Sequence, residues 1–202
     1  MVETRDKILD SAEHLIQSRG FSAISYRDIS DEVGIRKASI HYYFPTKNDL
    51  AVAVVERYRD VLAKLMAQSY DAHGSDALSM LDDYFGVYLS FQDQPERICL
   101  CGALAGDYPV LASDTQMSVD EFFLDHENWL KMVLETGESS GQFKLSGSAG
   151  EIASWILVSL QGALIVGRAT NSPQKIIEVQ SLLRRSLTAP SAIGGDIQDA
   201  VA

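Results

Sequence analysis

The sequence predicts an all-α protein, and three observations carry that expectation. Apolar residues recur at i, i+3, i+4 and i+7 along most of the chain, and no segment demands a strand. Two S/T-x-x-D boxes, Ser25 with Asp28 and Thr46 with Asp49, mark helix starts, because hydroxyl and carboxylate together satisfy orphan N–H groups of a first turn. Gly34, between them, suits the left-handed position that stops a helix without a Cβ clash.

Each element follows from such signals. Thr4 is expected to cap a first helix reaching Arg19, with Ile8, Leu9, Ala12, Leu15 and Ile16 as its apolar stripe. Gly20 ends it, and Phe21 and Ile24 can fold back over the stripe. Ser25 opens a second helix running to Val33, with Ile24 and Ile29 placed as a hydrophobic staple. A third covers Lys37 to Tyr43, and Pro45 stops it because the residue before a proline avoids helical angles. The fourth runs from Lys47 to about Tyr70 with Leu50, Val54, Tyr58, Val61, Leu62 and Leu65 inward. Asp76 opens a fifth, carrying Tyr84 and Tyr88, that ends at Asp93-Gln94-Pro95; a helix or loop over 96–106 follows. The seventh spans Asp114 to Thr136 with Val119, Phe122, Phe123, His126, Leu130 and Val133 on one side. The eighth, Ser148 to Ala169, is apolar nearly all round and is expected to be buried on two sides. Pro173 opens a ninth, whose Ile176, Val179, Leu183 and Leu187 are spaced like a bundle seam. The last residues, 190–202, have no pattern and are expected to form a flexible tail.

Bulk properties narrow the function classes. A chain of 202 residues with 46% hydrophobic and 22% charged residues reads as an ordinary soluble globular protein. The start, MVETRDKILD, is charged and lacks the apolar region of a secretion signal. The longest uncharged run, Ile152 to Gly167, is 16 residues, short for a membrane span. Two cysteines, Cys99 and Cys101, make no disulfide framework, which fits a reducing cytoplasm.

A net charge of −11 argues against a polyanionic partner, since nonspecific DNA affinity comes from neutralising phosphates. The distribution resolves part of the conflict. Residues 1–59 hold nine Lys/Arg and nine Asp/Glu, whereas the remainder holds eight and nineteen and so carries the whole excess. The balanced part contains the stretch Ser25 to Lys47, in which Ile29, Val33, Ile35 and Ile40 can share a small core across the Gly34 turn. That pattern is a helix-turn-helix, whose second helix is shaped for a DNA major groove.

Residues 8–50 resemble the N-terminal DNA-binding domain of TetR-type transcriptional repressors. The residues that carry the resemblance are Ile29, Val33-Gly34-Ile35, Ala38-Ser39-Ile40, Tyr42-Tyr43-Phe44, Lys47 and Asp49-Leu50. The rest of the chain matches that family only in helical layout. The resemblance implies a dimeric regulator with a DNA-binding domain over 1–47, a helical effector-binding and dimerisation domain over 48–189, and the tail beyond. It also implies that the eighth and ninth helices pair with those of a second copy. A small-molecule effector, hydrophobic or aromatic, would release the protein from a pseudo-palindromic double-stranded DNA operator. No cofactor and no membrane partner are implied. An activator, or a thiol-based redox or electrophile sensor on the same fold, is the alternative.

Candidate DNA contacts are Arg27, Arg36, Lys37, Ala38, Ser39, His41, Tyr42 and Lys47. Ala38, His41 and Tyr42 share one face of the third helix, opposite Ile40 and Phe44. Lys37 can reach guanine acceptors or phosphate, and small Ala38 and Ser39 permit close approach. Lys47, at a helix start, sits beside free N–H groups suited to a phosphate. His41 stands where the family commonly has tyrosine, and Arg36 stands where a serine-like cap is expected.

Candidate effector contacts are Tyr84, Tyr88, Cys99, Phe122, Phe123, His126 and Trp155, with Phe91 and Trp129 as further possible walls. An aromatic set at helical spacing also reads as plain core. The cysteines read either as sensors or as buried apolar residues, and His126 as a core histidine or a ligand donor. No catalytic constellation is present. Gly137 to Gly141 matches G-x-S-x-G, but that motif needs a preceding strand. His126-Glu127 lacks the second histidine of a zinc-protease helix, and a lone CxC pair is too few ligands for a closed zinc site.

Overall fold

A computed structural model describes residues 2–188. Among these the secondary structure is helical without strands, with nine α-helices in chain order. They are α1 (Val2–Arg19), α2 (Tyr26–Val33), α3 (Lys37–Tyr43), α4 (Lys47–His73), α5 (Ala77–Leu89), α6 (Leu100–Gly106), α7 (Ser113–Ser139), α8 (Ala149–Ala169) and α9 (Lys175–Thr188). The expected tail over 190–202 lies outside the described residues.

The first three helices form a small unit around one apolar seam. Ile8, Leu9, Ala12, Leu15 and Ile16 of α1 are buried with Ile24, Ile29, Ile40 and Phe44. Both predicted capping boxes form: Asp28 accepts the Ser25 N–H at 2.8 Å, and Asp49 accepts the Thr46 N–H at 2.9 Å. Gly34 takes the left-handed conformation with φ of 74° and ends α2. The Ser30 hydroxyl donates to the Ile35 carbonyl at 2.5 Å, and the Tyr26 hydroxyl reaches the carbonyls of Phe44 and Thr46. These two side chains tie the turn and the α3–α4 junction, so helices too short to persist alone keep a fixed angle.

A network of polar joints seats this unit on the core. Arg57 of α4 reaches Asp10 at 2.6 Å and Glu13 at 3.0 Å on α1. Asp107 accepts both the N–H and the hydroxyl of Ser22. Gln17 is buried, and its carboxamide oxygen accepts from Arg97 while its carbonyl accepts from Ile98 N–H and Arg168. In the core, α4, α5, α7, α8 and α9 pack around Met80, Leu81, Phe85, Phe122, Leu130, Ile156, Leu160 and Leu183.

Several expected boundaries shift. Thr4 lies inside α1, which is described from Val2 onward. Helix α5 ends at Leu89 and tightens into a 3₁₀ turn over Ser90–Asp93 before reaching Pro95. Helix α7 continues to Ser139, and the Phe143 ring lies against Gly137 in its last turns. Val61 and Leu65 of α4, expected inward, are about half exposed. Helix α8 corrects two expectations. At 21 residues it is long and apolar enough to cross a bilayer, and a Ser148–Glu151 capping box opens it. It is buried on one side only. Ile152, Ile156, Leu160 and Leu164 face the core, whereas Trp155, Val158, Ile165 and Val166 are exposed on the single chain. The seam residues Ile176, Leu183 and Leu187 of α9 also face their own core, leaving Ile177 and Leu182 outside.

Candidate nucleic-acid interface and interior cavity

Burial of Ile40 and Phe44 orients α3 and leaves its other face to solvent. Arg36, Lys37, Ala38, His41 and Tyr42 are exposed on that face, and Ser39 is half-buried. Tyr42 is 74% exposed, a large aromatic held clear of the core. Its ring meets Tyr43 edge-on at 5.2 Å, which restricts its rotamers. Thr4, Arg36, Ala38, Ser39, Tyr42 and Tyr43 line a shallow depression here. Arg36 precedes α3 without a side-chain cap hydrogen bond, so its guanidinium stays available. His41 donates from Nδ1 to the Pro45 carbonyl at 3.2 Å, because a carbonyl can only accept. That leaves Nε2 as an acceptor when the ring is neutral. Arg27, in the first turn of α2, is exposed and pairs loosely with Asp31 at 3.7 Å.

Lys47 differs from these. Its ammonium donates to the Phe21 carbonyl at 2.5 Å and lies 4.2 Å from the Phe21 ring centre. Desolvation lowers its pKa, partly opposed by Asp107 and Asp28. It therefore sits in the joint between the short helices and α4, rather than free on the α3 face.

A second feature lies about twenty residues further along α4. Leu62, Leu65, Met66, Ser69 and Ala72 of α4, Asp83, Tyr84 and Val87 of α5, and His126 and Trp129 of α7 line a cavity of about 390 Å³. A cleft of about 610 Å³ on the other side of Met66, His126 and Trp129 is walled by Arg59, Tyr70, Phe122 and Asp125. Arg59 is held there by Asp125 and Glu121 of α7.

His126 connects the cavity to a buried polar chain. Its Nδ1 lies 2.9 Å from the Tyr84 hydroxyl, which is 3.4 Å from that of Tyr88, and Gln161 of α8 donates to Tyr88 at 3.2 Å. Burial depresses the His126 pKa to about 4, against a weaker opposing effect of Asp125, so the ring is neutral. Burial also raises both tyrosine hydroxyls, which stay protonated. Trp129 stacks on Tyr84 at 5.5 Å.

The expected effector residues thus separate. Tyr84, Phe122 and His126 line the two cavities. Tyr88 supports the polar chain from behind, and half-buried Phe123 packs edge-on against Phe122. Trp155 does not face the cavity; it is 46% exposed on the outer side of α8, where an apolar helix read from sequence has no marked face. Cys99 and Cys101 are buried outside both cavities, and burial raises both thiols. Burial thus disfavours the thiolate form of both. Sequence reasoning missed Ser69, Met66 and Leu62. Leu62, Met66 and Ser69 share an i, i+4, i+7 stripe, so a serine on an otherwise apolar face was the available signal.

Comparison with known proteins agrees with this architecture. Residues 8–54 match the family model described as bacterial regulatory proteins, tetR family. A TetR-family transcriptional regulator from Agrobacterium tumefaciens is 32% identical, with a TM-score of 0.88 over 93% of this chain and 99% of that one. A TetR transcriptional regulator from Legionella pneumophila is 30% identical, with a TM-score of 0.81 over 90% and 95%. The negative transcriptional regulator IcaR of the biofilm operon icaADBC in Staphylococcus aureus is 26% identical over 142 residues, 65% of this chain and 74% of its own length. The helix-turn-helix, the long α4 and the helical core extend through nearly the full length of two relatives at 30% identity or more. The chain belongs to the TetR family of transcriptional regulators, and it is not an enzyme.

Proposed function

We propose that this regulator is a ligand-responsive repressor that binds a pseudo-palindromic operator as a homodimer. One observation carries the ligand response: α4 is a single helix of 27 residues that begins against α3 and passes the cavity. At about 1.5 Å per residue it is roughly 40 Å long, so a displacement at Leu62 to Ser69 is transmitted to the reading head. A ligand that favours one position of α4 shifts the spacing of two heads, and operator affinity changes by its differential affinity for the two states. The contacts assigned to DNA are Arg27, Arg36, Lys37, Ala38, Ser39, His41 and Tyr42, with Lys47 at the edge. The head corresponds to 1–47 and the effector and dimer domain to 48–189.

The second copy is assigned to the outer face of α8 and α9. Trp155, Val158, Ile165, Val166, Ile177 and Leu182 form an apolar surface that the single chain leaves in water. An exposed apolar patch on two adjacent helices suits a two-fold four-helix contact. Repression is favoured by the similarity to IcaR, a negative regulator.

Mobility-shift titration with DNA from upstream of its own coding region, beside sedimentation of the free protein, tests this reading. A dimer that shifts a two-half-site fragment, and whose deletion raises expression from that promoter, is expected. A monomer, or a loss of expression on deletion, would overturn the dimer or the repressor assignment respectively.

A further inference from the structure

The cavity between α4, α5 and α7 has a mainly apolar wall, in which the polar lining residues are Gln68, Ser69, Asp83, Tyr84 and His126. Ser69 is 6% exposed, and its hydroxyl is buried with no hydrogen-bond partner. Ser11 is the other buried hydroxyl in that condition among the described residues, and it lines neither this cavity nor the neighbouring cleft. An unpaired buried hydroxyl is costly, and a bound molecule is one way to satisfy it.

His126 supplies a second polar atom. Gln161 donates to Tyr88, which leaves Tyr88 free to donate to Tyr84, and Tyr84 to donate to His126 Nδ1. A neutral imidazole has one proton, so with Nδ1 accepting, Nε2 carries it and becomes a donor. Nε2 has no hydrogen-bond partner among the described residues. Ser69 and His126, both lining residues of the cavity, thus bring two donors, O–H and Nε2–H, beside the stacked rings of Tyr84 and Trp129.

Charge selects further. Asp83 is the one charged residue lining the smaller cavity, and it is paired with His73 at 3.0 Å near the surface. In the neighbouring cleft, Arg59 is already held by Glu121 and Asp125. Among the described lining residues no unpaired cation awaits an anion, and the carboxylates Asp71 and Asp83 are exposed rather than buried. A charged ligand would lose its hydration without compensation.

We propose that the effector is an uncharged, mainly aromatic molecule with a hydrogen-bond-accepting oxygen, docked on Ser69 and His126. This rests on the reading of the cavity as the effector site. A space of about 390 Å³ is at the lower end of small-molecule sites, which favours one or two rings.

Four matched naphthalenes test it by calorimetric titration into the full-length protein: 1-acetylnaphthalene, 1-ethylnaphthalene, 1-naphthoate and 1-naphthylmethylammonium. The ketone is expected to bind best, with each of the others about tenfold weaker or more, because each lacks the acceptor or carries an uncompensated charge. Ser69→Ala should weaken the ketone roughly fivefold and leave the ethyl compound unchanged. Ala72→Trp, a substitution at an exposed lining position, should block all four. Preference for the carboxylate or the ammonium, or equal weakening of ketone and hydrocarbon by Ser69→Ala, overturns the ligand class. If Ala72→Trp still blocks in that case, the cavity remains the effector site. Binding that Ala72→Trp does not affect, or no binding by any of the four, overturns both.

Discussion

Two glycines show how differently the reading head and the core are built. Gly34 ends α2 at φ of 74°, with nothing within 4 Å of where a Cβ would stand. It is needed for its backbone. Gly137 lies within α7 at ordinary helical angles, and a Cβ there would run into the Phe143 ring. It is needed for its missing side chain. The head is specified by local backbone chemistry, namely caps and a left-handed turn, and the core by long-range complementarity.

The sharpest way to break that contrast is to place alanine at each site. Gly137→Ala must eject Phe143, which is 4% exposed, and should cost about 4 kcal/mol, comparable to losing a buried phenylalanine. Gly34→Ala meets only the left-handed penalty of about 1–2 kcal/mol. Thermal and denaturant unfolding read both, and equal losses would remove the distinction.

The environment of histidine also separates the same regions. His41, in the head, is exposed on the reading face. His126, in the core, is held near pKa 4, below the ordinary value of 6.5, because burial penalises its charged form. The folded chain binds fewer protons than the unfolded chain between these values. The His126 contribution is therefore fully present above about pH 6.5 and is lost as the pH falls toward 4. The interval is worth roughly 3 kcal/mol at 1.36 per unit. Subtracting the stability–pH curve of His126→Gln from that of the unaltered chain should give this slope, and parallel curves would show that the histidine is not linked.

On the reading face the expected effect is on binding rather than folding. Tyr42→Ala removes an exposed ring that supports nothing in the core, so its unfolding midpoint should hardly move. Operator affinity should fall by roughly 2 kcal/mol if the ring meets a base or sugar. A footprint and affinity identical to those of the unaltered protein would take Tyr42 out of the interface.

The contrast also explains what was legible in the sequence. The head could be read because its determinants are neighbours in the chain: Ser25 caps with Asp28, Gly34 turns, and Ile29 meets Ile40 within a dozen residues. The cavity could not, because its wall joins Ser69, Tyr84 and His126 from three helices, and their meeting depends on how α4, α5 and α7 cross. Helical periodicity shows that a face is apolar, but not whether it meets its own core or a second copy. Trp155, expected at the effector site, lies on the outer face for that reason, and Cys99 and Cys101, which read either as sensors or as buried apolar residues, are covered by packing.

Lys47 lies where the two regions meet, and its effect should be the smallest. Read from sequence, it is a phosphate contact at the start of α4, and its loss should reduce the salt slope of DNA binding by about 1. In the structure its ammonium is held by the Phe21 carbonyl and ring, with Asp107 of the core nearby. Lys47→Ala would then loosen the joint by about 1 kcal/mol, the worth of one hydrogen bond. The two roles separate in one experiment, because a lost phosphate contact changes the slope of log affinity against log salt. A loosened joint lowers the unfolding midpoint and leaves that slope alone. We expect the joint to account for the larger share, since the ammonium must leave Phe21 before it can reach a phosphate; an unchanged midpoint with a slope reduced by about 1 would return Lys47 to the DNA.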